Sequence, residues 1–244
     1  CLSRGLGDVY KRQVEDGVCI FKGVPYAKPP VGELRFREPQ RMEAWEGERE
    51  AFQFGPVCPQ PDGVLPQSEG VQKSEDCLYL NVYAPEEADG DLPVMVWIHG
   101  GAFYLGAGSE PFYDGTQLAK QGKVIVVTIN YRLGPFGFLH LSSIDDSYTS
   151  NLGLLDQIAA LEWVKENIAF FGGDRHHITV FGESAGSMSI ASLMAMPKAK
   201  GLFQQAIMES GASATMSEKL AKAAAERFLS LIHISEPTRQ AEIS

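Results

Sequence analysis

Six short apolar, β-branched runs lie at 17–21, 78–83, 93–98, 123–129, 178–181 and 205–208. Several are continuous rather than alternating, the pattern of strands buried on both faces of a sheet. Helical patterns fall among the later runs. Leu154, Ile158, Leu161, Val164 and Ile168 form one apolar face at a 3.6-residue period, which predicts a helix over 152–169 ended by Gly172-Gly173. A shorter helix is expected over Ala185–Ala195, stopped before Pro197, and a third over 217–228 behind Ser217. Strands and helices in this order specify an α/β fold, with a mostly parallel central sheet and helices on both faces. No internal repeat or long flexible linker marks a second domain. The Pro-, Gly-, Gln- and Ser-rich segment 56–74 is expected as one surface loop.

The two ends break the pattern. Residues 1–13 begin without Met and carry neither period, and 231–244 cut off the third helix pattern without a cap. Both are expected to be non-native tails, which leaves 14–230 as the native part of the domain. A cytoplasmic location is the expectation, with a leader peptide left open by the missing native start.

Lys and Arg number 21 against 31 Asp and Glu, a formal charge of −10. With no basic cluster, this balance argues against nucleic acid or anionic lipid as a partner. No apolar run approaches the roughly 18 residues of a membrane span. Four cysteines do not make a disulfide scaffold in a chain of this length. A small-molecule partner is what remains.

The chemistry sits at Gly182-Glu183-Ser184-Ala185-Gly186, between the run at 178–181 and the helix that follows. A Gly-x-Ser-x-Gly match alone is weak evidence; a match at a strand-to-helix junction is the arrangement of a nucleophile elbow. The sharp turn forces Ser184 into a strained backbone, tolerated because Gly182 and Gly186 remove Cβ clashes. The Ala185 N–H, at the helix start, then faces the place where an oxyanion would develop. Upstream, His99-Gly100-Gly101-Ala102 follows the run at 93–98, and adjacent glycines there leave bare N–H groups free to converge. Ser184 is the expected nucleophile, and Gly101, Ala102 and Ala185 are the expected oxyanion donors. Gly100, Gly182, Glu183 and Gly186 are the expected supports. His176-His177 lack metal-ligand spacing, so neither a metal nor a cofactor is expected.

Five segments extend beyond these two motifs: 74–81 (SEDCLYLN), 94–104 (VMVWIHGGAFY), 130–139 (NYRLGPFGFL), 151–157 (NLGLLDQ) and 181–186 (FGESAG). Together they resemble the type-B carboxylesterases, the family of cholinesterases and bacterial para-nitrobenzyl esterases, and most closely its bacterial members. The resemblance runs from about 14 to 229. It implies an α/β-hydrolase fold, truncated in its C-terminal half, and hydrolysis of small carboxylic esters through an acyl-serine. It further implies that Arg35–Glu75 and Arg132–Asp156 are structural ion pairs. Cys58 and Cys77 match a pair that is bridged in secreted relatives, while bacterial thiols can stay free. Two other readings are a non-catalytic cholinesterase-like binding protein and a lipase- or thioesterase-type serine hydrolase.

One departure matters. The family order is Ser, then Asp or Glu, then His, yet the only histidine after Ser184 is His233, inside the suspect tail. His140 is expected in a surface turn behind a strand-like 136–139, and His176-His177 at the sheet edge opposite the site. The nucleophile and oxyanion half of an esterase is therefore expected here without its base, and the chain is expected to be inactive on its own.

Overall fold

The computed structural model describes residues 3–5, 8–43, 47–62, 72–87 and 90–241, with side chains described between Tyr10 and Leu231. Among the described residues the strands are β1 (Ser3–Gly5), β2 (Asp8–Lys11), β3 (Gln13–Glu15), β4 (Val18–Pro25), β5 (Gly47–Glu50), β6 (Tyr79–Pro85), β7 (Leu92–Ile98), β8 (Ile125–Ile129), β9 (Gly173–Glu183) and β10 (Gln205–Glu209). The α-helices are α1 (Thr116–Gly122), α2 (Gly134–Phe138), α3 (Leu152–Asn167), α4 (Ala185–Ala195) and α5 (Glu218–Ala241).

Seven strands form the central sheet in the order β10-β9-β7-β8-β6-β4-β3, and β1-β2-β5 form a small second sheet. The expectation of a mostly parallel sheet holds for β10, β9, β7 and β8. It is corrected at the other end, where β8–β6, β6–β4 and β4–β3 are antiparallel, so the sheet is mixed. The tight turn Asp16-Gly17 between β3 and β4 can only bring the chain back antiparallel, since a parallel return needs a longer crossover.

Side chains alternate between two cores. Cys19 and Phe21 of β4, Val82 of β6 and Val127 of β8 point to the face covered by α3 and α4. Val18, Ile20, Tyr83 and Val126 point to the opposite face, where they meet Ala119 of α1. Helices thus pack on both faces, as the strand runs require.

Several boundaries differ from the sequence reading. The stripe predicted on α3 is too narrow. Leu152 and Leu155 are buried as well, and Asp156 is buried with them, because it accepts from Arg132 Nε at 2.8 Å and Nη2 at 2.6 Å. Gly172 does end this stretch, in a left-handed conformation after one 3-10 turn. Segment 136–139 is not strand-like: Pro135 starts α2 with a preset φ. His140 follows this helix, with Nδ1 2.7 Å from Ser150 Oγ. His176 and His177 lie within β9, exposed, at the end of the strand away from Ser184. Segment 56–74 forms a bridge between Val57 and Lys73 and is tied by a disulfide between Cys58 and Cys77; residues 63–71 lie outside the described ones. Arg35 grips Glu75 with two hydrogen bonds, at 2.5 and 2.7 Å. In the segments expected as tails, the backbone forms β1 and β2 and carries α5 on to Ala241.

Candidate active site

The C-terminal ends of parallel strands gather at one sheet edge, and clefts of α/β folds open there. Ile98 of β7 pairs with Gly182 of β9, and Glu183 pairs with Glu209 of β10. The chain runs directly from these three strand ends, Ile98, Glu183 and Glu209, into the site.

Ser184 occupies the junction between β9 and α4 with φ 53° and ψ −116°. That is a sparsely populated conformation for a residue with a Cβ, held only because the surroundings over-determine it. Two of those constraints are glycines. A Cβ at Gly182 would meet the Ile98 carbonyl oxygen at 2.6 Å, and one at Gly186 would overlap the same oxygen and sit 3.0 Å from the His99 oxygen. The missing side chains therefore let the elbow rest directly on the end of β7. A third constraint comes from β10. The Ser184 N–H donates to the Glu209 oxygen at 2.9 Å, and the buried Ser187 hydroxyl donates to the Gly211 oxygen at 3.0 Å. The motif reading missed this brace at 209–211. Its signal was present, because Ser210-Gly211 is a turn pair directly behind a strand that neighbours the elbow strand.

The glycine loop is strained in its own way. Gly101, Ala102 and Phe103 have φ of 105°, 51° and 66°, three consecutive residues in the left-handed half of the map. At Gly101 a Cβ would collide with the Leu105 carbonyl, so only glycine fits. The tight coil is closed by the Tyr104 and Leu105 N–H groups, which donate to the Gly101 oxygen at 3.1 and 3.0 Å. Those bonds share one carbonyl and leave the amides at the start of the loop unspent. Among the described residues none accepts the N–H of Gly101 or Ala102. Ala185, as the first residue of α4, has no intrahelical acceptor either.

The loop and the elbow touch. A Cβ at Gly100 would lie 3.4 Å from Ser184 Cβ, 2.9 Å from the Glu183 oxygen and 2.8 Å from Glu183 Oε2. Glu183 and Ser184 are thus brought against Gly100, with Gly101 and Ala102 next along the chain, while Gly182 and Gly186 lie against the end of β7. Ser184 is half-buried, while Ala102 and Tyr104 are exposed, so the site opens to solvent.

His99 lies wholly within the fold and does not reach out of the loop. Its ring stacks on Tyr131 at 4.4 Å and 19°, and burial pushes its pKa down to about 4. Tyr113 stacks obliquely on Trp97. Burial first, and then the charges of Glu110 and Glu183, pushes its hydroxyl up to about 12. Among the described residues, no hydrogen bond joins the Ser184 hydroxyl to a histidine or a carboxylate that could serve as its base. The side chain of His233 lies outside the described residues. Also among the described residues, no group of three or more His, Cys, Asp or Glu could hold a metal ion, and no helix is long and apolar enough to cross a membrane.

Comparison with known proteins gives a consistent picture. The sequence profile of the carboxylesterase family matches residues 4–243. A para-nitrobenzyl esterase of Bacillus subtilis (strain 168) is 62% identical over 228 residues, which cover 93% of this chain and 47% of the esterase. The liver carboxylesterase of Sus scrofa is 48% identical over 226 residues, covering 86% of this chain and 39% of that protein. Among solved structures, a thermophilic para-nitrobenzyl esterase superposes with a TM-score of 0.92 at 61% identity, covering 95% of this chain and 48% of its own. The chain spans about half the length of the relatives it matches.

Proposed function

The chain belongs to the carboxylesterase family, and from that footing we propose that it carries the nucleophile and the oxyanion-binding part of a serine ester hydrolase. The observation that carries this reading is the strained Ser184 at the β9–α4 junction, lying against Gly100 of the glycine loop. The substrate class is a small carboxylic ester. Ser184 Oγ attacks the ester carbonyl, and the carbonyl oxygen takes up negative charge. The N–H groups of Gly101, Ala102 and Ala185 hold that charge, each donor being worth roughly 2.7–4 kcal/mol in the transition state. Collapse expels the alkoxide and leaves an acyl-serine, which water hydrolyses.

Each proton transfer in that cycle needs a base, and none is hydrogen-bonded to Ser184 among the described residues. Without one, the hydroxyl is a weak nucleophile at neutral pH. The polypeptide as it stands is therefore expected to bind esters and turn them over negligibly. An intact Ser184 in a strained elbow disfavours a purely binding role, because a binding protein has no need to maintain that strain. The test compares the chain with its Ser184→Ala variant, using a nitrophenyl ester for turnover and a fluorophosphonate for covalent labelling. Slow labelling confined to Ser184, with no difference in turnover, is expected. Labelling that ignores Ser184 would remove the nucleophile assignment, and steady Ser184-dependent turnover would show that a base is supplied.

A further inference from the structure

The Gly100–Gly101 peptide is the weak point of the glycine loop. Neither flanking residue has a Cβ to resist rotation of the peptide plane, so this is the link most easily turned. Its orientation decides the site, because in a trans peptide the C=O and the following N–H point in opposite directions. Whichever way the Gly100 oxygen faces, the Gly101 N–H faces the other.

We infer that His99 is a positioning residue, whose Nδ1–H clamps the Gly100 carbonyl and thereby aims the Gly101 N–H at Ser184; this rests on the reading of Ser184 and its donors given above. His99 Nδ1 lies 2.8 Å from the Gly100 oxygen. A carbonyl can only accept, so the proton is on Nδ1 and Nε2 is bare. Nε2 is buried and has no hydrogen-bond partner, as expected of a ring whose one proton is committed to the loop.

The ring is held on every side. Only 1% of His99 is exposed. Tyr131 covers one face of the ring and donates its hydroxyl to the His99 oxygen at 2.8 Å. Gly106 presses on the ring edge, where a Cβ would meet Nδ1 at 2.5 Å and the Gly100 oxygen at 2.7 Å. Gly106 is itself pinned. Gln60 donates Nε2 to the Gly106 oxygen at 3.0 Å and accepts the Gly106 N–H at 2.9 Å. A ring so enclosed cannot follow the peptide if the peptide turns, and so the peptide stays. The depressed pKa of His99 means that the clamp is in one protonation state throughout the neutral range.

Two measurements test the clamp. In the chain labelled with 15N-histidine, ring-nitrogen shifts assign the tautomer directly and need no activity. His99 protonated on Nδ1 and bare on Nε2 from pH 5 to 8 is expected; the opposite tautomer overturns the proposal. The second measurement is the rate of fluorophosphonate labelling at Ser184 in His99→Phe, which keeps the stack and loses the donor, and in His99→Asn, whose amide can stand in for Nδ1–H. The Phe variant is expected to label about 10²–10³-fold more slowly, the size of one lost oxyanion donor. The Asn variant is expected to recover most of that loss. Equal rates in His99→Phe and the parent, or equal losses in both variants, would also overturn it. If the parent itself fails to label, the esterase reading fails, and the tautomer alone decides the clamp.

Discussion

Gly186→Ala sets two effects against each other and lets magnitude decide. Gly186 lies inside α4 with a helical backbone, so helix propensity favours alanine by about 1 kcal/mol. The site forbids it. The new methyl would overlap the Ile98 oxygen, with the Ile98 carbon at 2.8 Å and the His99 oxygen at 3.0 Å. All three are backbone atoms at the end of β7, which is paired on both edges by β8 and β9 and has nowhere to retreat. Relief requires α4 to move off the sheet by on the order of 1 Å, loosening the contacts of Ile190 and Leu193, both fully buried. Overpacking of this kind costs about 1–3 kcal/mol and occasionally more, so the upper end less the propensity gain leaves a net loss of about 2 kcal/mol. At roughly 2–4 °C per kcal/mol for a chain of this size, the Tm should fall by about 4–8 °C. Gly122→Ala is the control. It closes α1, and its Cβ would make only an ordinary 3.4 Å contact with Val124, so it should be neutral. A Gly186→Ala variant that melts at or above the parent would refute the argument that the elbow glycines exist to seat α4 on β7.

Further expectations follow from the same geometry. Arg132→Ala leaves Asp156, which is fully buried, without its cation and should cost about 3–5 kcal/mol by chemical denaturation, whereas Arg132→Met with Asp156→Leu should recover much of it. The folded His99 pKa of about 4 lies below its unfolded value of 6.5, so its contribution is complete above pH 6.5 and is lost as pH falls towards 4. Stability should therefore drop by on the order of 3 kcal/mol over that window, and His99→Phe should flatten this part of the profile. Reducing the Cys58–Cys77 bridge, which spans 19 residues, should lower stability by about 3 kcal/mol, read as a Tm shift on adding a thiol reductant. Strand β10 is a sheet edge exposed along its whole length, including Ile207 and Met208, and should drive association. Ile207→Lys should raise the monomer fraction on size exclusion, and a parent chain that is already monomeric would count against this.

What the sequence disclosed depended on how local the cause was. The six apolar runs all became sheet strands; in β4, β6, β7, β8 and β9 burial leaves an unbroken apolar signature, and the exposed edge strand β10 carries the same signature. Helix α4 begins and ends where Ser184 and Pro197 said it should. Short or two-sided elements were hidden. Helix α2 rests on a single Pro, and β3 is too short to carry a period. Antiparallel pairing of β6 with β4 and β8 depends on connections, which an apolar run does not encode. At the elbow and the glycine loop, the local geometry of Ser184, Gly182, Gly186 and Gly101 was legible one residue at a time, since each answers to its own φ or its own clash. The brace from 209–211, the Tyr131 stack and the Gly106–Gln60 pin were not, because each is a contact between segments far apart in the chain.

One feature of the sheet has a mechanical meaning. Gly182 and Gly186 lean on the carbonyl of Ile98, and from that residue the chain runs on into the glycine loop. Ser184 and the amides proposed to receive the charge are thus mounted on a common anchor. A displacement of that strand end would carry both together, so their spacing is set by one piece of backbone rather than by two independent loops.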